Sequence, residues 1–309
     1  MSSLIEVILP VFLIIGIGFI AAKLKWLPST AVDGVMLFTQ RFAIPCLLFN
    51  AMANIEISNY FNFLLIISYF TPSLIGFFLG ILISRYLLKY SLEKSVVIGF
   101  CCLYSNSLML GLPIMEQAYG TNSLGPNYAI IALNTPFCYV TGIIFMEFVK
   151  GRGNGFTSTV GKAVKGIFNN ILVLSILLGI LVNVLEVIIP TTIDNAINII
   201  IKAAIPTAIF GLGGVLARYK VNGDILPVLV IAFIALLMKP SLGFYLGEYN
   251  QLDKDSIRAV VLTAAMAPGL NAYIFANMYN TGTKIAATSV LFSTALSVFT
   301  LWYWLGALP

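Results

Sequence analysis

The chain has 309 residues, is 60% hydrophobic and only 9% charged, and contains no histidine. A soluble domain holds about 25% charged residues, so a polytopic membrane protein with little length left for a soluble domain is expected. The missing histidine excludes histidine-dependent zinc motifs, Ser-His hydrolase triads and histidine proton relays.

A helix crossing the hydrocarbon needs about 20 residues. Ten candidate spans follow along the chain, at about 4–22, 35–54, 61–84, 95–118, 127–149, 167–189, 196–217, 225–247, 257–278 and 285–307. The first does not read as a cleavable signal peptide, since Glu6 precedes its apolar run and Lys23 and Lys25 follow it. The longest connection holds the flexible hydrophilic link Lys150-Gly151-Arg152-Gly153-Asn154-Gly155. Cys46, Cys101, Cys102 and Cys138 all fall inside spans and read as buried structural thiols. Trp26, Trp302 and Trp304 lie near span ends and read as interfacial anchors.

Loops after odd-numbered spans carry Lys23, Lys25, Arg85, Lys89, Lys94, Lys150, Arg152, Lys162, Lys165, Arg218, Lys220 and Lys284. The opposite side carries Lys254 and Arg258. This asymmetry places both termini outside the cytoplasm. It also accounts for the net charge of +5 without a nucleic-acid partner.

Two spans are interrupted. Ser105-Asn106-Ser107-Leu108-Met109-Leu110-Gly111-Leu112-Pro113 lies in the middle of span 4, and Met266-Ala267-Pro268-Gly269-Leu270-Asn271 in the middle of span 9. Glycine costs about 1 kcal/mol in a helix interior and proline about 3. In lipid each freed backbone group needs another partner. Such breaks are tolerated where half-helices meet over a polar cavity, and a pair in corresponding halves points to a transporter's binding site.

The chain also repeats itself. Ala43-Ile44-Pro45 matches Ala204-Ile205-Pro206, Pro72-Ser73-Leu74 matches Pro240-Ser241-Leu242, and broken span 4 matches broken span 9, at offsets of 161, 168 and 155. Five spans is an odd number, so residues 1–150 and 151–309 would insert with opposite topology, as an inverted repeat.

Asn106 to Pro113 resembles the N-T-L-V-M-G-I-P signature of the auxin efflux carrier family. Phe42-Ala43-Ile44-Pro45 stands in the place of the family's F-A-V-P in span 2. Pro268-Gly269, Phe275-Ala276 and Tyr279-Asn280 resemble its P-Q-G-I-V-P-F-V-F-A-K-E-Y-N segment. The resemblance implies an all-α fold of ten helices in which spans 4 and 9 cross near the midplane, similar to the bile-acid sodium symporters. It implies a scaffold of spans 1, 2, 6 and 7, a moving transport domain of spans 3–5 and 8–10, and small organic anions as substrates: indole carboxylate in plants, malonate and related acids in bacterial members. It puts Asn106 at the family's crossover asparagine, Asn134 at a substrate-site glutamine, and Asn271 where plant carriers have isoleucine. Two departures bear on substrate and coupling ion. Asn169-Asn170-Ile171-Leu172 replaces Asn-Pro-Asn, and no acid lies between Glu56 and Glu93, where plant carriers hold an intramembrane aspartate.

The residues themselves favour an anion. Pro113 and Pro268 can each open a second half-helix, whose N-terminus carries about +0.5 charge and free N–H groups. Two such ends favour a carboxylate. Asn106, Asn134 and Asn271 add neutral donors and acceptors, although an asparagine in a membrane helix also commonly just bonds a neighbouring helix, for roughly 1 kcal/mol. These three, with Gly111, Pro113, Pro268, Gly269 and Pro45, are the candidate substrate-binding residues. Arg41 and Lys202 occupy one repeat position, each four residues before a matched proline. Each lies roughly 9 Å into its span. Either they snorkel to headgroups or each draws the anion inward from its own side.

A secondary transporter working by alternating access in the plasma membrane is therefore expected, with an anion channel or facilitator of the same fold as the alternative. An enzyme is not expected: there is no P-loop, no histidine and no paired intramembrane aspartate. No cofactor or metal is expected; coupling to protons or sodium is left open, with Glu6, Glu116, Glu147 and Glu186 near span ends as the acids to consider. The expected partners are the lipid bilayer and a small organic anion, with a homodimer left open.

Overall fold

The computed structural model describes residues 2–54, 62–150, 171–219 and 224–309. Among them every regular element is helical. α1 is Ser2–Lys23; α2 (Ser29–Phe38) and α3 (Ile44–Asn54) are joined by a π turn at Thr39–Ala43. α4 (Phe63–Leu82) ends in a π turn at Ile83–Leu87. α5 (Leu92–Leu103) and α6 (Leu112–Tyr119) flank a bend and a π turn at Ser107–Gly111. α7 (Gly125–Val149), α8 (Ile171–Val184) and α9 (Thr191–Leu216) follow. α10 (Ile225–Phe233) runs through a π turn at Ile234–Met238 into α11 (Lys239–Tyr249). α12 (Lys254–Ala264), α13 (Leu270–Met278) and α14 (Thr283–Ala307) complete the chain.

Eight stretches among the described residues are long and apolar enough to cross a membrane, against ten expected spans. Expected span 6 begins in residues outside the described ones and shows only the 14 residues of α8. Expected span 9 is cut by Pro268 and Gly269 into helices of 11 and 9 residues. Asn169, Asn170, the link from Gly151 to Gly155, and Arg152, Lys162, Lys165 and Lys220 of the orientation signal also lie outside the described residues.

The chain divides into two compact units. One comprises Met1–Ile8, Asn62–Val164 and Tyr219–Pro309; the other comprises Leu9–Phe61 and Lys165–Arg218. In the smaller unit α3 packs on α8 and α9, and α2 on α9. α1 meets α9 backbone to backbone: a Cβ at Gly18 would strike the Phe210 carbonyl, and one at Gly213 the Ile15 carbonyl. Thr39 bonds Thr207 at 2.8 Å, tying the π turn to α9.

In the larger unit α4 packs on α5, α11 on α12, α4 on α11, and α7 on both α5 and α12. The 18-residue apolar window within Leu92–Tyr119 is 94% buried, whereas the corresponding windows of the other membrane-length stretches are 28–56% buried. The broken span therefore lies inside protein, where freed backbone groups find partners. Another such group is the Leu236 carbonyl, which lies in the π turn just before Pro240, a residue with no N–H to offer. The Trp304 indole donates to it at 2.9 Å. Trp304 is 5% exposed, so it is an internal partner rather than an interfacial anchor; Trp26 and Trp302, at 75% and 41%, remain exposed.

Candidate functional site

The site is built where α5 and α12 stop. Ser91 caps the start of α5 by accepting from the Lys94 N–H at 3.4 Å. The helix runs buried to Leu103, and Tyr104 to Asn106 then leave it. Asn106 has φ −75 and ψ 60, and the Ser107 N–H reaches back to the Ser105 carbonyl at 2.8 Å. This is an inverse γ-turn. The Asn106 carbonyl then accepts from the Leu110 and Gly111 N–H groups at 3.2 and 3.0 Å. The second half thus starts at Ser107, not at Pro113. The carbonyl that Pro113 cannot serve, that of Met109, lies within the π turn, which already departs from i→i+4 bonding.

Asp253 caps α12 through the Ser256 N–H at 3.0 Å. That helix ends at Ala264, and α13 starts after Gly269, so Pro268 stands within the break. The two breaks are joined by one backbone bond, from the Asn106 N–H to the Ala267 carbonyl at 2.9 Å. Gly269 is required by close approach: a Cβ there would lie 2.9 Å from Tyr104 Cε1 and 3.3 Å from Asn106 Cα. A Cβ at Gly111 would meet Met266 Cγ at 3.3 Å.

The three candidate asparagines differ in what their amides do. Asn134, on α7, donates to the Ser105 carbonyl at 3.1 Å and to Ser107 Oγ at 3.0 Å. Its oxygen accepts from the Tyr69 hydroxyl at 3.2 Å and from Cys138 Sγ at 3.5 Å. Asn134 is thus occupied as a clamp on the bend. Asn271, the second residue of α13, donates to the Tyr104 hydroxyl and accepts from the Tyr139 hydroxyl at 3.4 Å. Asn106 as a residue is only 6% exposed, and among the described residues its amide makes no hydrogen bond. Its amide atoms are not among the buried unpartnered ones, so they stay accessible at the crossing point.

The larger unit therefore brings together Asn106, Gly111, Pro113, Asn134, Pro268, Gly269 and Asn271. Pro45 is buried in α3 of the smaller unit. Arg41, in the π turn before it, and Lys202, on α9, belong to the same unit; both are exposed, and neither forms an ion pair among the described residues. Glu147 accepts from the Tyr279 hydroxyl at 3.3 Å.

One residue was missed. Lys239 opens α11, is 0% exposed, and donates to the Leu103 carbonyl at 3.2 Å and to Ser105 Oγ at 2.6 Å. The repeat match at Pro240-Ser241 stops one residue short of it. The available signal was a lone lysine deep inside an apolar span, which is a functional candidate by default.

Membrane-length apolar helices and two broken helices bonded at a buried polar crossing define a membrane transport protein. The chain belongs to the membrane transport protein family, whose profile matches residues 3–305. This is the auxin efflux carrier type of family that the span 4 motif resembles. The chain is an integral membrane transporter and not an enzyme. It is 23% identical to a Rhizobium meliloti protein provisionally named a malonate transporter, over 97% of this chain and 94% of that one. It is 20% identical to an uncharacterised transporter of Methanocaldococcus jannaschii, over 97% and 98%. It is 26% identical to the mouse lysosomal cholesterol signaling protein over 96% of this chain, which spans 36% of that longer protein.

Proposed function

We propose that the chain is a secondary transporter of a small organic anion, held at the crossing of the two broken spans and moved by alternating access. The observation that carries this is the Asn106 amide, which among the described residues makes no hydrogen bond and stays accessible in a residue only 6% exposed, between two interrupted helices. The second halves point their N-terminal ends at the break, and such ends favour a carboxylate. The provisional malonate name of the bacterial relative supports the same substrate class.

In this reading the chain is an inverted repeat of ten spans. The smaller unit, with α1, α2, α3, α8 and α9, is the scaffold, and the larger unit carries the substrate. Asn106 and Asn271 contact the anion; Asn134, Gly111, Pro113, Pro268 and Gly269 shape the crossing. Arg41 and Lys202 draw the anion inward, and Pro45 shapes the scaffold wall. The protein sits in the plasma membrane with both termini outside the cytoplasm and works without cofactor, metal or nucleic acid. Anion export follows the membrane potential, at about 2.3 kcal/mol per charge per 100 mV.

Proteoliposome uptake with a panel of labelled organic acids including malonate, with and without imposed proton and sodium gradients, tests this. Saturable uptake of a carboxylate is expected. Uptake of none of them, or a steady current far above carrier turnover, would replace the carrier with another activity or a channel.

A further inference from the structure

Lys239 has an environment that a structural lysine seldom has. It is 0% exposed and belongs to the Ile225–Tyr249 membrane-length stretch. Among the described residues its ammonium faces no carboxylate; the ionisable groups in its surroundings are the buried thiols of Cys102 on α5 and Cys138 on α7. Its stem runs past Gly76 of α4, where a Cβ would lie 3.6 Å from Lys239 Cδ. A buried cation without a counter-charge is costly unless backbone dipoles replace the water it has lost.

Those dipoles are present, and they come from both breaks. Nζ donates at 3.2 Å to the carbonyl of Leu103, the last residue of α5. It donates at 2.6 Å to Ser105 Oγ, which in turn donates at 3.4 Å to the carbonyl of Ala264, the last residue of α12. Each helix C-terminus carries about −0.5 charge. In transporters built on broken helices, half-helix C-terminal ends and unwound carbonyls are where a coupling cation is coordinated. Here a side-chain ammonium occupies that position.

We propose that Lys239 is a resident cation of the crossing, a tethered ammonium that fills the position a coupling sodium would otherwise take, so that the wild-type protein holds the two half-helix ends together without binding sodium. This deepens the proposed transport reading by naming what fills the cation position. Its test uses no substrate, so a failed uptake assay and a failed cation assay are separate results.

The experiment measures the melting temperature of the full chain in detergent, in sodium, choline or methylammonium chloride at equal ionic strength, for the wild type, Lys239→Ala and Lys239→Met. Both variants are purified in methylammonium throughout. The wild type is expected to melt at the same temperature in all three salts. Lys239→Ala should melt lower in choline and recover saturably in methylammonium or sodium, which fit the space left by the side chain. Lys239→Met, which fills that space without charge, should stay low in every salt. Saturable stabilisation of the wild type by sodium overturns the proposal. So does a Lys239→Ala variant that is indifferent to all three cations, or one that cannot be recovered even in methylammonium.

Discussion

The backbone N–H of Asn106 donates to the carbonyl of Ala267 across 2.9 Å, and this bond joins residues 161 positions apart in the chain. It leaves the Asn106 side chain at the crossing with its own amide uncommitted. Backbone and side chain of one residue thus divide two tasks, fastening and recognition.

Asn106→Ala should therefore abolish or strongly weaken anion binding with little change in stability, because the fastening bond is made by the backbone. Isothermal titration with the best substrate, beside a melting curve of the same sample, checks both halves. An unchanged affinity places the site elsewhere.

Asn134→Ala should show the opposite profile. It strips partners from the Ser105 carbonyl, Ser107 Oγ and the Tyr69 hydroxyl. The expected loss is about 2 kcal/mol of stability. Weaker binding should follow as a consequence of the loosened bend. A variant that melts like wild type but binds nothing would instead make Asn134 a direct ligand.

Gly269→Ala adds a methyl group against Tyr104 Cε1 at 2.9 Å and Asn106 Cα at 3.3 Å. The backbone there is ordinary, with φ −85, so the penalty is steric alone. Overpacking of this kind costs about 1–3 kcal/mol. Thermal unfolding gives the stability term, and substrate affinity should fall with it because the methyl presses on Asn106.

Trp304→Phe removes the donor to the Leu236 carbonyl, at a cost of about 1 kcal/mol. Pro240→Ala supplies an N–H in the turn that follows that carbonyl. In the double mutant the Trp304→Phe cost should shrink, giving a non-additive cycle. Additive melting shifts would show that the indole acts by packing alone.

Arg41→Gln and Lys202→Gln bear on rates rather than affinity. Both side chains are exposed, and neither has an ion-pair partner among the described residues. Each substitution should slow loading from its own side and flatten the salt dependence, with equilibrium binding at Asn106 nearly unchanged. Rates unaffected from either side would leave both as snorkelling residues.

The sequence shows the helical class and the positions of both interruptions, because composition and proline-glycine punctuation act locally. It misplaces the first break by several residues. The chain leaves the helix at Tyr104 to Asn106, which contain neither glycine nor proline, and the bend is held by Asn134 from a distant helix. Tertiary bonds of this kind leave no local mark. Lys239 was legible as an isolated charge in an apolar run but was averaged away by its surroundings. The different uses of three similar asparagines could not be read at all, since each depends on partners from other helices.

The cysteines carry a practical consequence. Cys101, Cys102 and Cys138 are 0% exposed, whereas Cys46, beside Pro45, is partly accessible. Cys46 is therefore the thiol of the unmodified chain that a membrane-permeant maleimide would meet first, and it is in the smaller unit. Labelling kinetics at Cys46 can follow how that unit responds to added anion or to a change of salt, with no cysteine engineered in or removed.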